Sequence, residues 1–317
     1  MKITQNYFNQ ILKKNFLFEV HPKVAVAVSG GPDSMALVNL IKNWIKNKES
    51  LIALIVDHQI RENSYAEATK VRKYLNQYNI NSKIFKTKKK NIINKSMSEA
   101  RTNRFNQLIK YCHRNNIFHL FFAHHYNDIL ETFLLRKIAG SNFEGLRSIQ
   151  KKIIINKIQI LRPLLQFNKK DIINYNDDHN ICFVKDPSNE NFKYSRVVVR
   201  NFIAKNLKYK KQIERDYIKI QNYFPFYKKM IYNAFIKISL YNSKNKVLID
   251  IHLLKYNKEI QIKIIEIIYR LIKPNKKFLR YQKILDLLNI LKKRKSCRTN
   301  LAGMNIKKYD YLISFYT

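Results

Sequence analysis

One junction constrains this chain more than any other. Val24–Val28 is an unbroken run of Val and Ala that ends on Ser29-Gly30-Gly31-Pro32-Asp33-Ser34 and passes straight into Met35, Leu37, Val38 and Ile41 at helical spacing. A short β-branched run with no polar alternation is a strand buried on both faces, and such strands belong to parallel sheets covered by helices on both sides. The spacing predicts a helix over Asp33–Lys46.

The following segments keep the alternation. Leu51–Val56 reads as a second buried strand ending in Asp57-His58, Ala66–Tyr78 as a half-exposed helix, and Ser82–Phe85 as a short strand. Lys86–Lys90 reads as a basic loop. Ser98–Arg114 is a helix with Phe105, Leu108, Ile109 and Cys112 on one face, His119–Ala123 a fourth strand and Asp128–Ile138 a further helix. Strand and helix in strict turn, joined by right-handed crossovers, give a mostly parallel sheet with helices on both faces. Ligands in such sheets sit at the carboxyl ends of strands, where Ser29–Ser34, Asp57-His58 and His124–Asp128 all fall. Lys151–Ile160 reads as a hairpin or one bent strand, and Lys169–His179 as a helix. From about Asn206 the chain turns basic, Tyr-rich and mainly helical, with Ile284, Leu287, Leu288 and Leu291 on one face. Two domains are expected, 1–205 and 206–317, consistent with about 100–200 residues per domain.

The glycines narrow the chemistry of the first turn. The chain holds only five: Gly30, Gly31, Gly140, Gly145 and Gly303. A dinucleotide GxGxxG fingerprint cannot be written with them. Gly140 and Gly145 have the opening spacing of a Walker A loop, but Leu146 and Arg147 follow where Lys and Ser/Thr are required. Ser29–Ser34 remains. Two glycines let backbone approach an anion closely. The next helix presents free N–H groups and its positive dipole end. Pro32 suits a first helical turn, and Ser29 and Ser34 add hydroxyls. Asp33 would repel a phosphate unless a cation such as Mg²⁺ lies between them, so it is the candidate metal residue. An ordinary strand–helix turn is the alternative reading.

Charge supports a polyanionic partner less firmly. Lys+Arg number 61 against 22 Asp+Glu, a net +39 that attracts nucleic acid first and anionic membrane second. Yet the chain is rich in Lys, Asn and Ile together, a mixture that an AT-rich genome writes into any protein. Cys112, Cys182 and Cys297 lie far apart with no CxxC pair, against a zinc ribbon, an iron–sulfur site or a redox dithiol. Lys13 and Lys14 interrupt any signal-peptide core, and no stretch approaches the ~20 apolar residues of a membrane span. A soluble, cytoplasmic protein with no membrane partner is expected.

AVSGGPDS resembles the PP-loop of the N-type ATP pyrophosphatases, which bind ATP on that loop and adenylate a substrate oxygen. Their members include GMP synthetase, asparagine synthetase, tRNA thiolation enzymes and tRNA(Ile)-lysidine synthetase. Later segments resemble the last of these, in order: Val56–Arg61, Glu99–Phe105 (EAR-x-x-R-[YF]), Ala123–Thr132 (AHH-x-DD-x-x-ET), Arg136 through Leu146, Leu161–Leu164 and Asp186–Asn189. Leu279-Arg280 and Thr299–Gly303 match the closing segments loosely. Two departures stand out. Asn127 occupies the place of the first Asp of the acidic pair, and Val197 that of the Asn in RN-x-x-R, while Arg196 and Arg200 persist.

The resemblance implies an adenine nucleotide alpha hydrolase-like, Rossmann-like domain followed by a tRNA-binding domain. It implies ATP and Mg²⁺ on Ser29, Gly30, Gly31, Pro32, Asp33 and Ser34. It also implies a CAU-anticodon tRNA(Ile) and free L-lysine as partners, with a homodimer left open. Asp33, Arg101, His124 and Asp128 are the candidate catalytic residues, and Arg104, Glu131, Arg196 and Arg200 the candidate substrate contacts. Arg101 and Arg104 share a helix face and suit a phosphate or carboxylate. Asp128 and Glu131 share another and suit an ammonium, whose pKa of about 10.4 must be overcome before it attacks. Two surface arginines and a helix-start charge pattern are the plainer readings. A zinc site on His124, His125 and Asp128 is disfavoured, because adjacent strand residues point to opposite faces. A tRNA thiolase and a non-catalytic basic RNA-binding protein are the rival functions.

Overall fold

The computed structural model describes residues 2–57, 64–86, 97–184, 195–274 and 279–317, with side chains left aside at 57, 64 and 97–101. His58, the side chains of Glu99 and Arg101, and Asp186–Asn189 therefore lie outside the described residues. The chain divides into two compact units, Met1–Ile220 and Gln221–Thr317. That division falls inside a long helix rather than at the expected 205.

The first unit runs α1 (Gln5–Asn15), β1 (Val24–Val28), α2 (Pro32–Trp44), β2 (Leu51–Asp57), α3 (Ser64–Gln77), β3 (Asn81–Lys86), α4 (Met97–Arg114), β4 (His119–Phe121) and α5 (Tyr126–Ile138). β5 (Lys152–Ile155), β6 (Ile158–Leu161), α6 (Lys169–Asp178) and α7 (Ser195–Lys205) follow, and α8 (Leu207–Ile238) begins here. The strands form one sheet ordered β3-β2-β1-β4-β6-β5, parallel except for the β5–β6 edge. The Lys151–Ile160 region is thus a hairpin. Asn156 and Lys157 turn it with φ of 48° and 67°, the left-handed pair that a tight two-residue loop needs.

β1 shows why the sheet is covered on both faces. Val24, Val26 and Val28 pack into a cluster with α1, α2, α3 and α6, while Ala25 and Ala27 point the other way into a cluster with Leu108, Ile109 and Cys112 of α4. Bulky and small residues alternate along one strand because its two helical layers differ. Leu37 and Leu40 of α2 are fully buried, each contributing about 1.5–3 kcal/mol relative to exposure. The chain reverses direction at β1: β2 and β3 lie to one side of it, β4 and β6 to the other. The crevice above such a switch point is where doubly wound sheets bind ligands.

The second unit holds the end of α8, then β7 (Ser239–Asn242), β8 (Lys246–Asp250), α9 (Lys258–Ile272), α10 (Tyr281–Lys293), β9 (Cys297–Leu301), β10 (Met304–Lys308) and β11 (Leu312–Tyr316). Its helices are the larger share, as expected. They pack on an antiparallel sheet, β7-β8-β11-β10-β9, that periodicity did not reveal. The strands are short, and polar residues such as Lys246, Arg298 and Asn300 fill their outer positions, so their alternation is easily read as a basic loop.

Candidate active site

Ser29–Ser34 closes β1 and opens α2. Gly30 sits at φ +85° and Gly31 is the extended N-cap of α2, with no side-chain cap. A Cβ on Gly30 would come 2.3 Å from Val71 Cγ2 of α3, so the loop is glycine for both conformation and space. Ser34 is buried and shapes the turn: its hydroxyl donates to the Gly31 carbonyl at 3.0 Å and accepts the Ser29 N–H at 3.2 Å. That role leaves Ser29, the exposed one of the pair, as the better hydroxyl for a ligand. α6 and the chain beyond it clamp the loop. The Asn176 amide donates to the Pro32 carbonyl at 3.0 Å, and the Val184 N–H to the Gly30 carbonyl at 2.8 Å. A rigid loop in front of an uncapped helix start is suited to holding phosphate oxygens.

Asp33 faces two groups. Lys169 Nζ lies 2.6 and 2.7 Å from its two carboxylate oxygens, and His125 Nε2 lies 3.8 Å from Oδ1. Lys169 is the first residue of α6, and its N–H donates to Asn127 Oδ1 at 3.1 Å. Asn127 therefore keeps an acceptor where the resemblance has an acid, and it ties the start of α5 to the start of α6 without adding charge.

His125 is the N-cap of α5. Its N–H donates to Asp128 Oδ2 at 3.0 Å and its Nδ1 accepts the Asp128 N–H at 3.4 Å, a reciprocal capping box. Burial pushes the Asp128 carboxyl up. The charges of His125 and His124, the His125 N–H and Arg196 more than offset this and hold it below the ordinary carboxylate range. Asp128 is thus first of all a cap, as a plain helix-start pattern would have it. Among the described residues no group of three His, Cys, Asp or Glu could hold a metal ion, so a zinc site on His124, His125 and Asp128 has no geometry behind it.

His124 points elsewhere. Buried Arg162 donates through Nε to His124 Nδ1 at 3.2 Å and through Nη1 to the Gln150 carbonyl at 2.8 Å. An acceptor Nδ1 leaves the proton of the neutral ring on Nε2. Glu131 and Arg200 meet each other: Arg200 Nε and Nη2 lie 2.7 and 3.3 Å from the two carboxylate oxygens of Glu131, which is 1% exposed. Glu131 thereby fixes α7 against α5 rather than offering a free acid to a ligand. The bond to Glu131 raises the Arg200 pKa. Arg196 donates to Thr132 Oγ1 at 2.9 Å. Arg104 is half-buried on α4, and desolvation lowers its pKa.

The structure thus gathers Asp33, His125, Asp128 and Lys169 at one point, with His124 and Arg162 beside them. His125, Arg162 and Lys169 were not singled out as site residues. The first two lay inside the quoted motifs, and His125 three residues before Asp128 is a legible cap. Lys169 had only its place after Asn168, before Asp171, as a helix-start signal.

The PP-loop domain family matches residues 1–207. A curated tRNA(Ile)-lysidine synthase from Wolbachia sp. subsp. Brugia malayi (strain TRS) is 41% identical over 184 residues, 57% of this chain and 43% of that protein. One from Rickettsia akari (strain Hartford) is 29% identical over 298 residues, 93% of this chain and 69% of that protein. The chain therefore spans less than half the length of the first of these relatives. Among solved structures, U34-tRNA thiolase NcsA from Methanococcus maripaludis, which carries a 4Fe–4S cluster, aligns with a TM-score of 0.56. At 20% identity, covering 68% of this chain and 78% of that one, the likeness concerns the fold alone. With the uncapped glycine loop at the switch point and residues 1–207 matched, the chain belongs to the PP-loop domain family.

Proposed function

We propose that this chain joins L-lysine to C2 of the wobble cytidine in a CAU-anticodon tRNA(Ile), using ATP. The observation that carries the nucleotide half is the uncapped start of α2 behind Gly30 and Gly31, with Asp33 paired to Lys169 at the start of α6 and His125 of α5 3.8 Å away. The tRNA and lysine halves are supported by the names of the relatives and by the ordered motifs.

In this reading the cytidine O2 attacks the α-phosphorus of ATP, and the bond to the β-phosphate oxygen breaks with loss of pyrophosphate. The lysine ε-amine then attacks C2, the C2–O bond breaks, AMP leaves and the amine gives up its proton. The free N–H groups of α2 and Ser29 hold phosphate, and Gly30 lets it approach. Mg²⁺, when bound, supplies charge neutralisation between phosphates. Asp33 is the carboxylate that would hold it, provided the Lys169 ammonium moves off. His124, held by Arg162 at Nδ1, presents its Nε2 to the substrate. Asp128 and His125 form the polar wall where an ammonium would be received. Arg101 and Arg104 remain the proposed anion contacts from α4, and Arg196 the proposed contact from α7.

The thiolase alternative rests on cysteine chemistry: burial pushes the Cys112 thiol up to about 12, while Cys182 is exposed and Cys297 half-buried, and no two of the three are neighbours in the sequence. Incubation with ATP, labelled lysine and a CAU-anticodon tRNA(Ile) transcript tests the reading. Label on RNA with release of AMP and pyrophosphate is expected. Thiolation or bare RNA binding in place of label would overturn it.

A further inference from the structure

We propose that Lys169 is a phosphate contact of the nucleotide loop, exchanging its pairing with Asp33 for the leaving pyrophosphate portion of ATP. The inference rests on the nucleotide reading above and gives a role to a residue which that reading only moves aside.

Three features support it. Lys169 Nζ is bound to both oxygens of Asp33, at 2.6 and 2.7 Å, so the one carboxylate in the phosphate loop is neutralised by this ammonium. The side chains are 37% and 27% exposed, so the pair opens on a ligand-accessible face rather than into a core. The backbone beneath the lysine is fixed. Its N–H is held by Asn127, Asp171 Oδ2 accepts the Asn168 N–H at 2.8 Å, and Asn176 of the same helix ties α6 to the Pro32 carbonyl. A long flexible side chain on a fixed base, beside a helix start that attracts anions, can exchange one anionic partner for another by rotation of its own torsions. The β- and γ-phosphates carry most of the charge of ATP, so they are the stronger competitor for the ammonium. When a cation takes Asp33, Lys169 is released toward them.

The full chain is titrated calorimetrically with ATP and Mg²⁺, with inorganic pyrophosphate and with AMP. Lys169→Met is expected to weaken ATP and pyrophosphate by about tenfold to a hundredfold, the range of a charged hydrogen bond. AMP, which lacks the leaving phosphates, should stay within about twofold, and Lys169→Arg should retain most affinity. In the Asp33→Asn background, where no bare carboxylate is left to repel phosphate, Lys169→Met should still weaken ATP and pyrophosphate, and no further loss there would mean that Lys169 acts only by neutralising Asp33. If Lys169→Met melts, Lys169→Gln against Lys169→Arg makes the same comparison. Equal ATP and pyrophosphate affinity in wild type and variant, or an equal loss for AMP, would reduce Lys169 to a structural partner of Asp33. A wild-type chain that binds neither ATP nor pyrophosphate would instead remove the nucleotide reading itself, and this proposal with it.

Discussion

Two helices start at the carboxyl edge of the same sheet, and they start differently. α5 begins with His125 and Asp128 satisfying each other's backbone N–H groups. α2 begins on Gly31 with no side chain over its end, and the nearby acid, Asp33, is turned away to Lys169. α1 and α9 are capped too, by Thr4 and Asn257, while α10 starts on Arg280 without a side-chain cap, so what distinguishes α2 is the glycine loop and the acid at its open end rather than the open end alone. Similar residue types stand at both places, an acid in the first turn beside a basic group. Which of them is chemical follows from what else the acid touches.

The sharpest way to break this contrast is at the open end. Asp33→Ala is expected to lower pyrophosphate release by on the order of 10³-fold, the scale of losing an electrostatic element of a phosphoryl-transfer site. Binding of tRNA should change by no more than about threefold. Loss of tRNA binding together with a lowered unfolding midpoint would place Asp33 in the fold and erase the difference between the two helix starts.

The next test concerns the closed end. Glu131 is buried and Arg200 half-exposed, so the two halves of their ion pair are unequal. Arg200→Met strands a carboxylate in the interior and should cost about 3 kcal/mol in urea unfolding, whereas Glu131→Gln leaves an arginine that reaches water and should cost about 1 kcal/mol. Equal and negligible losses of stability, with a raised KM for lysine, would return both residues to substrate binding.

Gly30→Ala comes third. Its φ of +85° and the 2.3 Å approach to Val71 Cγ2 predict a loss of about 2 kcal/mol, part of it restored by Val71→Ala. An unchanged midpoint would mean that the loop relaxes freely and that its glycine serves the ligand alone.

These positions mark how far the sequence could be read. The run from β1 to α5 is legible because β1, β2 and β4 are short apolar runs, β3 carries the short Ile84-Phe85 segment between two helices, and each helix has one apolar face; the run Val24–Val28 coincides with β1. The sheet of the second unit is not: β7 and β9 are polar edge strands that declare themselves only by pairing, and the apolar β8 and β11 are five-residue runs set in a stretch whose basic, amphipathic segments read as helix. Within the site, Asp33 and Asp128 were legible as acids at helix starts, but their partners were not. Lys169 lies 136 residues from Asp33, and Arg200 lies 69 from Glu131. Pairings of that separation come from the crossover topology, and no local spacing encodes them. His124 and His125 show the limit within one dipeptide. Which of them faces Asp33 depends on where α5 begins, a boundary that pattern alone fixes only to within a few residues.

The smallest expected effect separates cap from chemistry at Asp128. Asp128→Ala removes one side of the capping box and should cost about 1 kcal/mol at pH 7. The folded carboxyl lies below its ordinary range, despite burial pushing it up, because His125, His124 and Arg196 favour the anion. A group depressed on folding contributes stability above its unfolded pKa, about 3.9, and that contribution is lost as pH falls through the lower folded value. The difference between wild type and Asp128→Ala should therefore hold or widen from pH 7 to about 5, as the imidazoles gain charge, and close only below pH 4. Unfolding midpoints measured across that range decide it. A gap that persists into strong acid would show that the capping bond and packing matter without the charge. Asp128 would then be a passive end to α5, and the negative charge beside the open start of α2 would come from Asp33 alone.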